Sequence, residues 1–96
     1  MRFKKGYVIN DKFEIKHFID SFTYCETYSA QNLKDSKLVN ISIYNASKIS
    51  RDDLDNDGNL KEISFLKLGI SGIPNFIDHG EFSNELEKFR YICSEF

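Results

Sequence analysis

The sequence predicts one small domain of the antiparallel α+β class, with a five-stranded sheet and a single helix between the third and fourth strands. Ninety-six residues allow only one core of modest size. Most segments are rich in β-branched and aromatic residues, which favours strands, and one segment has apolar residues at helical spacing. Because a helix interrupts the strands only once, an antiparallel sheet is favoured over repeated βαβ units.

The first three predicted strands form a meander. Phe13 to Ile19 and Thr23 to Ala30 have strand composition, and the polar break at Asp20-Ser21 predicts a hairpin between them. Residues 32–36 (Asn-Leu-Lys-Asp-Ser) predict a second turn. The third strand, Leu38 to Tyr44, alternates between an apolar and a polar face, namely Val39, Ile41 and Ile43 against Asn40 and Ser42.

The second half of the chain supplies the helix and two more strands. An acidic stretch at residues 49–58 precedes a predicted helix from about Asn59 to Leu68, ended by Gly69 or Gly72. After Pro74, the segments 75–82 and 88–96 have strand composition around a polar turn at residues 83–85. Apolar residues at helical spacing define the helix: Leu60, Ile63, Leu66 and Ile70.

Composition excludes several classes of partner. Thirteen basic and fifteen acidic residues give a formal net charge of -2, so the overall field does not attract nucleic acid or an anionic membrane. No apolar run reaches the length of about 18 residues that a membrane span needs, and the charged start at residues 2–5 is not followed by an apolar signal segment. We therefore expect a soluble, cytoplasmic domain.

Six segments, at a spacing that is itself informative, match a known family: Phe13-Glu14-Ile15, Tyr28-Ser29-Ala30, Leu38 to Ile43 (compared with Val-Ala-Ile-Lys), Leu60 to Leu68, Gly72 to Ile77 and Tyr91 to Phe96. Together they resemble the N-terminal lobe of serine/threonine protein kinases, over nearly the whole chain. The resemblance implies that residues 1–96 are such a lobe, truncated at the hinge, and that the predicted helix is the αC helix of that family.

The resemblance also implies where nucleotide would lie. Kinase lobes hold triphosphate with a glycine-rich loop and a strand lysine. At the glycine positions this chain has Asp20, Phe22 and Cys25, whose side chains block a close backbone approach. At the lysine position it has Ser42, and no Lys lies between Leu38 and Ala46.

The adenine-contacting positions differ from the family as well. Thr27 and Asn40 stand where the roof of the site carries Val and Ala, and Ser94 stands at the gatekeeper position. Glu62 matches the αC glutamate that pairs with the missing lysine. A second interpretation stays open for Glu62, because Asn59-x-x-Glu62 also fits a helix capping box.

These departures predict a pseudokinase-type regulatory or protein-interaction module with impaired ATP binding and no catalytic residue of its own. The expected partner is the C-lobe of a parent chain or another protein, and a homodimer through the exposed C-lobe-facing surface or an edge strand is a further expectation. The alternative is an active kinase in which Lys16 or Lys67 replaces the strand lysine. ATP and Mg²⁺ are expected only in that case.

Two further patterns carry other chemistry. Asp53 to Gly58 resembles the opening of a calcium loop, although Ser64 stands where the bidentate Glu belongs, so a small calcium-responsive module is a third hypothesis. Cys25 and Cys93 are interpreted as reduced thiols, with a disulfide as the alternative. His17 and His79 lie at no metal-ligand spacing and are interpreted as structural or exposed, so no metal site is predicted.

Overall fold

A computed structural model describes residues 3–22 and 25–96, and it shows a mainly β domain. Six antiparallel strands form one sheet in the order β1-β2-β3-β4-β6-β5. One short helix and two 3₁₀ turns (Ala46–Lys48 and Arg51–Asp53) lie between β4 and β5. The elements are β1 (Val8–Ile9), β2 (Phe13–Ser21), β3 (Cys25–Asn32), β4 (Leu38–Asn45), α1 (Lys61–Leu66), β5 (Phe76–Asn84) and β6 (Glu87–Glu95).

The sheet curls into a nearly closed barrel. Its two outer strands approach each other through side chains, because the Asn10 amide donates to the Glu81 carbonyl at 2.9 Å. The Lys12 ammonium lies 3.4 Å from the Asp78 carboxylate across the same seam. These contacts join the β1–β2 turn to β5, so the barrel is completed by side-chain bonds at this seam.

The prediction of a five-stranded α+β sheet with an αC-type helix is therefore wrong. A sixth strand is present, the sheet closes on itself, and α1 has six residues instead of the ten expected between Asn59 and Leu68. The two residues of β1 are too few for alternation to reveal them. Burial of Ile9 in the barrel stabilises this short strand.

The five predicted strands are each found, with shifted boundaries. The first hairpin turn lies later than Asp20-Ser21, since β2 continues through Ser21 and the Phe22 amide donates to the Cys25 carbonyl at 2.7 Å. Two irregularities in the β2–β3 register allow this longer strand to bend. Thr23, the predicted first residue of the next strand, lies outside the described residues.

The barrel interior is aromatic. Tyr28 and Tyr91 are its largest fully buried side chains. Phe3 closes one end, where its ring lies 5.5 Å from that of Phe82 and 5.2 Å from that of Phe89. The Phe3 amide donates to the Tyr28 hydroxyl at 3.1 Å, so the segment before β1 is bonded to the barrel as well as packed on it.

Helix α1 packs on the outside of the barrel through Ile63 and Leu66. Its N-cap is Leu60, which makes no side-chain cap bond, so the capping box predicted for Asn59 and Glu62 is wrong. The helix is short because Gly69 follows it in the left-handed region, at φ 67°, and the chain turns away. In the described part of the chain, neither this helix nor the 3₁₀ turns have the length and apolar character needed to cross a bilayer.

Candidate functional site

The candidate site is the surface of strands β3, β4 and β6 that faces away from the barrel core. We call this surface the outer face. Residues that alternate with the barrel core project onto it. It receives Cys25 and Thr27 from β3, because Thr27 pairs with Ser42 and Cys25 with Tyr44 across the β3–β4 ladder. Asn40 pairs with Ser94 in the same way across β4 and β6. The structure thus brings most of the sequence-predicted positions to one surface.

The hydroxyl and amide groups of the outer face bond to their neighbours. The Thr27 and Ser42 hydroxyls lie 3.3 Å apart, and either can donate. The Asn40 amide donates to the Glu95 carbonyl at 3.2 Å. Ser42, at the lysine position of the resemblance, is therefore one member of a hydroxyl pair and carries no charge.

The covered half of the outer face is built around Tyr44. Tyr44 is buried beneath α1, and its hydroxyl donates a hydrogen bond to the Glu62 carboxylate. Burial first, and then the bond to Glu62, raises the pKa of Tyr44. Glu62 thus bonds to a tyrosine of the sheet, which ties the helix to β4.

Cys25 lies beside this pair and is an unpaired, buried thiol. Burial raises the pKa of the Cys25 thiol, a hydrogen bond with Tyr44 lowers it, and the Glu62 charge raises it. A thiol that keeps its proton is a poor nucleophile. Cys93 is also unpaired, and it projects into the barrel, so the disulfide alternative does not describe this structure.

Asp20 and Phe22, the other two residues at the glycine positions of the kinase resemblance, lie at the edge of this surface. Asp20 pairs with Thr27 across β2 and β3, and its carboxylate accepts the Ser21 amide at 2.8 Å. Phe22 follows the end of β2, with 66% of its surface exposed. Phe22 therefore lies next to Cys25, whose carbonyl accepts its amide hydrogen, although the Phe22 side chain itself is exposed.

The lysines considered as substitutes for the strand lysine contact other groups. The Lys16 ammonium lies 2.7 Å from the Glu14 carboxylate on the same strand. The Lys67 ammonium lies 5.0 Å from the centre of the Phe76 ring, in a cation–π contact at the C-terminal end of α1. Each of these lysines therefore already contacts another side chain.

The calcium-like segment forms a compact turn. The Asp55 carboxylate accepts the Asp57 amide at 2.9 Å and the Asn59 amide at 3.0 Å. The Asp53 carboxylate accepts the Ser50 amide at 3.1 Å. These carboxylates accept backbone amides of nearby residues in the same segment. Residues 3–22 and 25–96 contain no cluster of three metal-ligating side chains.

Both histidines are exposed. His17 lies on β2, and His79 lies on β5 with its ring 5.8 Å from that of Phe76. Their interpretation as structural or exposed side chains is confirmed.

A second surface, which no sequence pattern predicted, lies at one end of the barrel. We call it the end patch and define it by four exposed apolar side chains: Leu33, Leu38, Ile77 and Phe96. They come from the β3–β4 turn, the starts of β4 and β5 and the residue after β6. The end patch lines two clefts of about 390 and 480 Å³, which adjoin because Asn32 and Ile77 line both.

One sequence signal could have located part of these surfaces. The alternation that buries Val39 places Leu38 and Tyr44 on the polar side of β4, where apolar or aromatic residues are unexpected. Tyr44 is covered by α1, whereas Leu38 remains 51% exposed. Sequence alone could not tell which of the two would be covered.

Comparison with protein-family models and with curated proteins finds no match for this chain.

Proposed function

We propose that this domain is a protein-interaction module, which acts by docking protein at the end patch and does not hold nucleotide. The observation that carries the proposal is the end patch itself. Four large apolar side chains between 39% and 69% exposed surround two adjoining clefts in a domain of only 96 residues. Apolar patches with a polar rim are typical of protein-binding surfaces.

The side chains of the outer face support the proposal that this domain does not hold nucleotide. A triphosphate needs nearby positive charge and backbone that it can approach closely. Ser42 is bonded to Thr27, and Asp20 adds a negative charge at the adjoining strand.

Titration with Mg-ATP tests whether the domain binds nucleotide. Thermal unfolding monitored by circular dichroism should show the same midpoint with and without millimolar Mg-ATP. Saturation at 100 times Kd would instead stabilise the domain by about 2.7 kcal/mol. A reproducible rise of the midpoint would overturn the proposal.

A hydrophobic dye tests whether the end patch is an accessible apolar surface that a partner protein could contact. Anilinonaphthalene sulfonate fluorescence at low protein concentration should fall in Leu38→Asp. It should stay unchanged in Leu86→Asp, a matched control that places the same charge at a fully exposed turn leucine. Equal fluorescence in the two variants would show that the end patch is not an accessible apolar surface.

A further inference from the structure

Among the described residues, the buried apolar side chains form two separate clusters. One fills the barrel and includes no side chain from residues 46–75. The other lies on the outer face beneath α1, and its members are Cys25, Tyr44, Leu60, Ile63, Leu66 and Ile92. Lifting α1 off the outer face would therefore disrupt the second cluster and leave the barrel core packed.

Residues 61–72, which we call the lid, comprise α1 and the coil that follows it. The chain before the lid is fixed in place, because the Arg90 guanidinium donates to the Gly58 carbonyl at 2.7 Å. Leu54 also forms an antiparallel bridge with Leu60. The lid ends at Gly72, whose φ of 87° lies in the region that glycine adopts most readily. These two ends are where a hinge motion of the lid would occur.

Few contacts hold the lid to the barrel. It buries two of its five large apolar side chains, Ile63 and Leu66. The other three are between 48% and 66% exposed, namely Phe65, Leu68 and Ile70. The Tyr44 hydroxyl donates to the Glu62 carboxylate, and the Lys67 ammonium makes its cation–π contact. In the described part of the chain, two buried side chains and these two polar contacts thus attach the lid.

We infer that the lid opens while the barrel stays folded, and that opening uncovers a surface formed by Tyr44, Ile92 and Cys25. Opening exposes the two buried side chains of the lid, whereas unfolding exposes the whole barrel core, so opening costs much less free energy. Residues 61–72 also regain conformational freedom when they leave the outer face. A partner that binds the uncovered surface would shift the lid toward its open form. The lid thus controls access to this surface, which is distinct from the end patch.

Cys25 and Cys93 can report this opening, because both are unpaired, both are buried and one lies in each cluster. A buried thiol reacts with iodoacetamide when an opening motion exposes it. If reclosing is faster than alkylation, the rate follows the population of the open form. Peptide mass spectrometry of the folded chain after increasing alkylation times measures each thiol separately.

Cys25 should react at least about tenfold faster than Cys93. Its rate should also rise less steeply with urea, because lid opening exposes less surface than unfolding does. Equal rates for the two thiols, with equal urea dependence, would overturn the inference.

Two matched substitutions distinguish lid opening from unfolding. Ile15→Val in the barrel and Ile63→Val in the lid each remove one methylene group from a side chain that is 1% or 5% exposed, respectively. Ile15→Val should speed the alkylation of Cys93 about twofold to tenfold and leave Cys25 unchanged, because Ile15 stays packed while the lid opens. Ile63→Val should speed the alkylation of both thiols by a similar factor, since Ile63 is exposed in the open form and in the unfolded chain.

Each alternative gives a different result. If Ile15→Val speeds Cys25 as much as Cys93, both thiols are reached through unfolding and the lid does not open by itself. If Ile63→Val leaves the Cys25 rate unchanged, iodoacetamide reaches Cys25 in the closed structure. Either result would refute the lid, and neither depends on the Mg-ATP or dye measurements that test the proposed function.

Discussion

Gly80 of β5 is the position where one added methyl group should do the most local damage. A Cβ built at Gly80 would lie 2.8 Å from Cε2 and 2.9 Å from the hydroxyl oxygen of Tyr91. Tyr91 has little room to move, because it is 1% exposed, its ring lies 5.7 Å from that of Phe13, and its hydroxyl donates to Asp78 at 2.9 Å. Gly80→Ala must therefore displace a buried ring.

The expected cost follows from three contributions. Overpacking of this kind destabilises by about 1–3 kcal/mol. Loss of the Tyr91–Asp78 hydrogen bond adds about 1 kcal/mol if the ring tilts. Lower chain entropy in the unfolded state offsets about 0.4–1 kcal/mol, because Gly80 does not adopt a positive φ. The net loss should be about 1–3.5 kcal/mol.

Urea denaturation followed by far-UV circular dichroism measures this loss. Ser83→Ala, at an exposed position of the same strand, is the matched control and should change the free energy of unfolding by less than about 0.5 kcal/mol. A double-mutant cycle with Tyr91→Leu isolates the contact, because Gly80→Ala should cost much less once the ring is absent. If Gly80→Ala is neutral, or costs the same in both backgrounds, the clash is not the cause.

Two other predictions concern the outer face and the barrel interior. Tyr44→Phe should lower the free energy of unfolding by about 1–2 kcal/mol, because it removes the hydroxyl that donates to Glu62 beneath α1. Urea denaturation measures this change. A variant as stable as wild type would show that this bond does not stabilise the packing of α1. Stability should also fall above pH 9, because burial, with the negative charges of Asp78 and Asp35, raises the pKa of the Cys93 thiol from 9.0 to about 12. The unfolded thiol then loses its proton near pH 9 while the folded one keeps it, so stability is fully present below pH 9 and declines toward pH 12 by up to about 1.4 kcal/mol per pH unit. Cys93→Ala should flatten this decline between pH 9 and 10.5 without abolishing it, since Tyr91 and Tyr44 also have raised pKa values; an unchanged slope would contradict the assignment to Cys93.

Local pattern predicted the strands well and the sheet's closure not at all. Val39, Ile41 and Ile43 alternate with polar residues, and all three are buried in the barrel as that alternation requires. The Asn10–Glu81 contact that closes the seam joins residues 71 positions apart. A pattern read over ten residues contains no information about such a pair.

The candidate site shows the same division. Alternation placed Asn40 and Ser42 on one side of β4, and the ladder brings Thr27 of β3 to the same face. Tyr44's bond to Glu62 came only from the packing of α1, because nothing in either local sequence selects the other as a partner. The end patch likewise joins side chains from four separate segments.

By itself, then, the sequence determined five of the six strand segments and which of their side chains alternate. Tertiary structure alone decided that β1 exists, that the sheet curls into a nearly closed barrel, and that α1 stops after six residues. The physical reason is the range of the interactions involved. Strand propensity acts between neighbouring residues, whereas closure and helix docking depend on burying side chains that lie far apart in the chain.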